Sequence, residues 1–484
     1  MSTEAHPTPP IPDSDTTLRG RLGPSAIMFM VIAAAAPLTV VGGLVPIGIL
    51  AGNGLGFPVM FLVASAILLL FSVGLMALVR HIPETGTFSS YIGAGLGLRA
   101  GAAAAGLALT CYSAVQAAVF SYLGETLSTT IAALGGPSLH WTVYTLLSIA
   151  LVGVLGYRRI ELSSRVLVVV LLAETGIVLL LGIVVLVTGG AEGVGFDSFT
   201  IGNMLSGSPA LGLMFALAGF IGFESTVVYR SEARHPNRTI PLATYGSAVV
   251  VGVFYAFSSW ILIVAAGPSN IITEAGENPA GLLTELTERY LGPLGSIVVT
   301  LLFIGSMFAA VLSLHNVVAR YQYSLARTGM APAFLGQVHP RHGSPSLSAL
   351  VQVVTAGVLV LVISALGITA EEMFSWGAGI GSIAIALLMA VTCMSVIRYF
   401  HRQHGDTTLW QRCVAPLLGA AGLLLGSILI IMNFPLLVGD SNADGSPAWG
   451  VVSLTLLAIV IASPIAGWLL SYTRTILHER TPHP

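Results

Sequence analysis

The chain of 484 residues is 55% hydrophobic and 8% charged, with a formal net charge of -2. Soluble domains are about a quarter charged, so a large soluble domain is excluded, and the near-neutral balance with no basic tract argues against nucleic acid as a partner. A mean hydropathy of +0.90 instead places the chain in a bilayer, where each spanning helix needs about 20 consecutive mostly apolar residues.

The first stretch, MSTEAHPTPPIPDSDTT, is rich in proline, threonine and aspartate and has no apolar run, so residues 1–22 read as a disordered cytoplasmic tail rather than a signal peptide. Apolar windows then recur and predict twelve spans, at 26–50, 57–79, 101–132, 141–157, 162–188, 209–229, 240–266, 293–319, 346–366, 373–397, 413–434 and 449–472. Residues 473–484 read as a second cytoplasmic tail. All 19 basic residues are arginine. In an alternating layout every arginine but Arg289 falls on one side, together with both termini. The opposite loops carry Glu192, Asp197, Glu274, Glu277, Glu285, Glu288, Glu371, Glu372, Asp440 and Asp444. The positive-inside rule makes the arginine side cytoplasmic.

Span 1 contains AAAAPLTVVGGLVP, in which Pro37 lacks an amide hydrogen and Gly42 and Gly43 follow closely, so its helix is expected to break. In span 3, Tyr112 and Gln116 are one helical turn apart and share a face, which lets both look towards the protein centre; Glu125 lies in the outer half of the same span. Glu174 sits in the middle of span 5. An ionised group at the bilayer centre costs about 2.5–3.5 kcal/mol, and no lysine exists anywhere to pair with these acids. Glu174 therefore reads as a carrier of a coupling proton, a cation ligand or a hydrogen-bond partner of a neighbouring helix.

Span 6 contains LAGFIGFES, a second expected break, with Glu224 just after it. Glu224 can pin amides freed by the break or face a bound amine. In span 8, Ser313, His315 and Asn316 form a polar cluster in an apolar helix. The three cysteines, Cys111, Cys393 and Cys413, have no metal-ligand spacing and read as small buried side chains, so no metal is expected. The two breaks fall in the leading spans of two successive groups of five. With an odd number of spans per group, the second group enters the membrane inverted, and paired interrupted helices in such repeats point to a transporter's central site. Each break frees amide hydrogens on one half-helix and carbonyls on the other, a match for a zwitterion.

The stretch GFIGFESTVVYRSEARHPNRTIP, starting at Gly219, resembles the sixth-helix signature of the amino acid–polyamine–organocation superfamily of permeases. IPETGTFSSYIGAGLG is similar to that family's second loop, and ARYQYSLARTGMAPAFLGQVHPRHGSPSLSAL to its eighth helix and following loop; together these cover spans 1 to 9 in order. The resemblance implies an all-α integral membrane protein with twelve transmembrane helices. Its transport core, residues 23–400, would be a five-plus-five inverted repeat like that of the leucine transporter, followed by two C-terminal helices within 401–472. It also implies substrate binding at Ala36, Pro37, Leu38 and Thr39, and at Phe220, Gly222 and Phe223; Tyr112, from its helix face, and Glu224, from its place beside the second break, join them as substrate-binding candidates. Many members carry a Gly-x-Gly-like sequence at the first break, where this chain has Ala35, Ala36 and Pro37. The family's cation site between spans 1 and 8 makes Ser313 an ion-coupling candidate beside Glu174.

The expected function is that of a secondary active permease in a bacterial cytoplasmic membrane. It would move an amino acid or related amine by alternating access, coupled to a proton or to sodium, with no cofactor. Exchange of amines, or amine sensing without transport, are the alternatives. No Walker A sequence, nucleophile elbow or H-E-x-x-H motif is present, so no enzyme is expected.

Overall fold

The computed structural model describes residues 23–82, 87–158, 164–327, 329–339, 344–403, 406–440, 442 and 446–480. The expected N-terminal tail and the last four residues lie outside them, as do Glu84 and the side chain of Glu232, candidates for a salt bridge to Arg230, Arg234 or Arg238. The described residues form helices and no β-strand, in the order α1 (Pro24–Ala34), α2 (Pro37–Ala51), α3 (Phe57–His81), α4 (Phe88–Leu96), α5 (Leu98–Ala133), α6 (Trp141–Tyr157), α7 (Ser164–Thr188) and α8 (Pro209–Ala218). A 3-10 segment at Phe223–Glu232 follows, then α9 (Pro236–Ala266), α10 (Ile271–Glu277), α11 (Leu282–Arg327), α12 (Ser346–Ala365), α13 (Ala370–Arg402), α14 (Ala415–Leu437) and α15 (Val451–Arg480).

Among the described residues, 10 helices are long and apolar enough to cross a membrane, and two shorter apolar helices, α2 and α6, accompany them. These two lie where spans 1 and 4 are expected. The first is short because its helix is divided before Pro37; the second has only 17 residues. On α6, Leu147, Leu151 and Val154 recur at i, i+4 and i+7 and are all exposed, an apolar stripe on a helix whose other side is packed.

Helix ends follow local chemistry. Ser208 caps α8 by accepting from the Leu211 amide, with Pro209 in the first turn, where its missing N–H costs nothing. Thr369 and Glu372 form a reciprocal capping box at the start of α13: Thr369 Oγ1 accepts from the Glu372 amide at 3.2 Å, and Glu372 Oε2 from the Thr369 amide at 2.8 Å. Helix α11 is divided at Gly292, whose φ of 73° is left-handed, so a short leading helix precedes the long one. Arg289, in that leading part, pairs with Glu274 of α10 at 3.2 Å.

Helices α5 and α13 form the central contact of the packing, with α4, α11 and α15 also against α5. Bare glycine makes this approach possible: a Cβ built on Gly377 of α13 would lie 2.4 Å from Ala118 Cβ and 2.8 Å from the Ala114 carbonyl. Gly377→Val should therefore destabilise the protein by about 1–3 kcal/mol, the cost of overpacking. Gly357→Ala, on α12 with nothing within 4 Å of its Cβ, should leave the detergent melting temperature unchanged; equal effects of the two substitutions would contradict this packing.

Candidate functional site

The first interruption separates α1 from α2 at Ala35 and Ala36. Proline disfavours helical backbone in the residue before it, and Ala36 is left-handed, with φ 49° and ψ 72°, the one positive φ outside glycine among the described residues. The chain resumes with Pro37 in the first turn of α2, and a wide π turn follows at Val40–Leu44. The Ala36 carbonyl accepts from the amides of Thr39 (2.9 Å) and Val40 (3.3 Å). The Leu38 amide points elsewhere, donating to Glu174 Oε2 of α7 at 3.4 Å. The same oxygen accepts from Ser306 Oγ of α11 at 3.0 Å. Glu174, 3% exposed, thus sits on the positive end of the second half-helix and joins three elements there.

The second interruption begins where α8 ends at Ala218. Residues 219–222 turn, Gly222 adopts φ 102°, and the 3-10 segment starts at Phe223. Glu224 folds back on this start: its Oε2 accepts from the Gly222 amide at 3.0 Å, and its Oε1 from the Tyr112 hydroxyl of α5 at 2.5 Å. A buried carboxylate persists only where donors surround it, and the break and Tyr112 provide them.

Between the two breaks lies a cavity of about 110 Å³. By the measure in which one water needs ~10–15 Å³, it holds a solute of amino-acid size. Ala36 and Thr39 line it from the first break, Gly222, Glu224 and Ser225 from the second, and Tyr112 from α5. At the end nearer the arginine-bearing loops the lining includes Phe88, Tyr91 and Tyr321; Tyr321 accepts from the Phe88 amide at 3.2 Å and its ring lies 5.8 Å from that of Tyr112. At the opposite end Phe374 of α13 lines the cavity and stacks on Tyr122, centroids 4.4 Å apart.

Of the remaining expected residues, Ser313 is in the cavity wall and the others are placed around it. Pro37 and Leu38 are buried behind it; Phe220 packs towards Tyr255 at 6.0 Å, and Phe223 is buried. Ser313 lines the cavity, whereas Glu174 meets Ser306, two helical turns earlier on the same helix. Gln116 turns from the cavity into a buried amide chain: it donates to the Val311 carbonyl at 3.2 Å, accepts from Gln352 at 2.6 Å, and Gln352 in turn accepts from Gln322 at 3.1 Å. His315 is buried against Gly156 of α6. Ser306, Ser225, Tyr321 and Phe374 were not singled out by sequence, although Ser306 shares a helix face with Ser313.

Comparison with known proteins agrees with this architecture. The family model described as amino acid permease matches residues 22–466. The cationic amino acid transporter 5 of Arabidopsis thaliana is 27% identical over 185 residues, 38% of this chain and 30% of that protein. The cadaverine/lysine antiporter of Escherichia coli (strain K12) is 25% identical over 193 residues, 39% and 41% of the two chains. The low-affinity putrescine importer of the same strain is 22% identical over 309 residues, 61% and 63%. The matched stretches thus span less than two thirds of the length of each of these relatives.

The Tyr112–Glu224 contact is testable by a double-mutant cycle on thermal stability. Hydrogen bonds to charged groups contribute about 1.5–3 kcal/mol, so Tyr112→Phe alone should cost that much, and much less once Glu224→Gln is in place. Additive losses would separate the two side chains.

Proposed function

The chain belongs to the amino acid permease family, and from that premise we propose that it is a secondary active transporter, moving an amino acid or related amine by alternating access. The observation that carries this reading is the cavity of amino-acid size lying between two broken helices, with one carboxylate in its wall. Three of the matched relatives are named for lysine and cadaverine, for putrescine and for cationic amino acids, and a fourth for branched-chain amino acids; each such molecule carries an ammonium group, and this supports a cargo of that chemistry. In this reading α1 and α2 together make the first of twelve spans and α6 the fourth. The first ten form two inverted groups of five in a bacterial cytoplasmic membrane, with both termini on the arginine-rich cytoplasmic side.

Glu174 is the residue we assign to proton coupling. Ionised, it accepts from the Leu38 amide and Ser306 and complements the positive end of α2. Such charge–dipole attraction contributes up to about 2 kcal/mol in partly buried settings. A proton on the carboxylate removes that attraction and loosens α2 from α7 and α11, so proton uptake acts on the element that must move. Ser313 belongs in this reading to the cavity wall, where it can contact cargo.

In proteoliposomes with an imposed proton gradient, labelled substrate should accumulate saturably without ATP, and binding without accumulation would make the protein a sensor. Glu174→Gln should lower gradient-driven uptake about tenfold or more while changing equilibrium substrate binding by less than about twofold; equal losses in both remove Glu174 from coupling. An uncoupler should abolish accumulation in sodium-free buffer, whereas persistence there marks exchange.

A further inference from the structure

We propose that the cavity is built for an organic amine that carries no carboxylate: a monoamine of about amino-acid size with an apolar body. The inference rests on the transporter reading and adds what the cargo must lack.

A broken helix binds a carboxylate through amide hydrogens left free at the start of its second half. Here most of those amides are taken. After the first break Pro37 has none, Leu38 donates to Glu174, and Thr39 and Val40 both donate to the Ala36 carbonyl. After the second, the Gly222 amide donates to the Glu224 carboxylate, Phe223 to the Phe220 carbonyl and Ser225 to the Gly222 carbonyl, each at 3.0 Å. The protein has placed a carboxylate of its own at each positive helix end. A cargo carboxylate would meet like charge there, and no arginine or histidine is among the residues lining the cavity.

An ammonium group finds the opposite. Each Glu224 oxygen takes one donor in the hydrogen bonds described and keeps accepting capacity on the cavity side. Thr39 and Ser225 line the cavity, one from each break, and their buried hydroxyl oxygens have no hydrogen-bond partner among the described residues. One acid and two unpartnered hydroxyls from the two breaks thus border one small space. Apart from Ser313 and the tyrosines Tyr91, Tyr112 and Tyr321, the rest of the wall is apolar, with Val115, Val119, Leu314, Val317 and Phe374, and Glu224 is its one acid. A second positive charge on a diamine has no counter-ion in that wall.

The test is a binding comparison on the full-length purified protein by calorimetry at neutral pH, with four probes: 3-methylbutylamine, leucine, leucine methyl ester and putrescine. The amine and the ester, which share leucine's apolar body without a free carboxylate, should bind at least about tenfold more tightly than leucine. Putrescine should bind more weakly than 3-methylbutylamine. Leucine binding as tightly as the amine, no binding of the amine, or preference for putrescine each overturns the proposal. Glu224→Gln should weaken amine binding about tenfold or more. If that variant does not fold, Ser225→Ala takes its place with a smaller loss expected in the same direction, and unchanged binding in the folded variant counts against the site. Liposome flux separates the two readings. Accumulation of leucine but not of the amine overturns this inference and leaves transport standing; tight amine binding without accumulation does the reverse.

Discussion

A bilayer core offers a backbone amide no water, so every peptide group freed by a helix break must find its partner within the protein. Two breaks at membrane depth set this demand twice, at Ala35–Ala36 and at Gly219–Gly222. Both are met in the same way, by a carboxylate from the protein. Glu174 reaches the first from another helix, and Glu224 reaches the second from two residues away along its own segment. The positive helix ends neutralise acids that would otherwise be costly to bury, and the acids in turn hold the half-helices in their broken form.

Each acid also ties its break to a neighbour. Through Glu174 the start of α2 is joined to α7 and to Ser306 of α11; through Glu224 the 3-10 segment is joined to Tyr112 of α5. Away from the cavity, the amide chain of Gln116, Gln352 and Gln322 links α5, α11 and α12 without using any charge. The breaks are therefore held by bonds that a proton can alter, and these three longer helices by bonds that it cannot. That difference in chemistry fits a structure in which one part moves and another stays.

Much of this was legible in the sequence. The breaks follow from Pro37 and from the glycines around Phe220, because proline and glycine act on the backbone locally, and the apolar windows fall on helices for the same reason. What sequence periodicity supplies on a helix is a face, not a level. Ser306 and Ser313 are two turns apart on one face, roughly 10 Å along the axis at 1.5 Å per residue, and nothing local says which of them meets an acid on another helix. Tyr112 and Gln116 also share a face, yet small differences in angle send one into the cavity and the other into the amide chain. The partnership of Glu174 with Leu38 spans 136 residues of sequence, a distance over which only the packed fold can speak.

The wide turn at Val40–Leu44 presents two bare Cα atoms, Gly42 and Gly43, to the rings of Phe303 and Phe374. A methyl carbon at either position would stand 3.0 Å from its ring. The edges of these rings thus take up the space a side chain would need, with Leu283 beside the first glycine and Tyr122 beside the second. A substituent at either glycine would push the second half of the first broken helix off α11 and α13, so the depth at which that half-helix seats is set by the absence of two side chains.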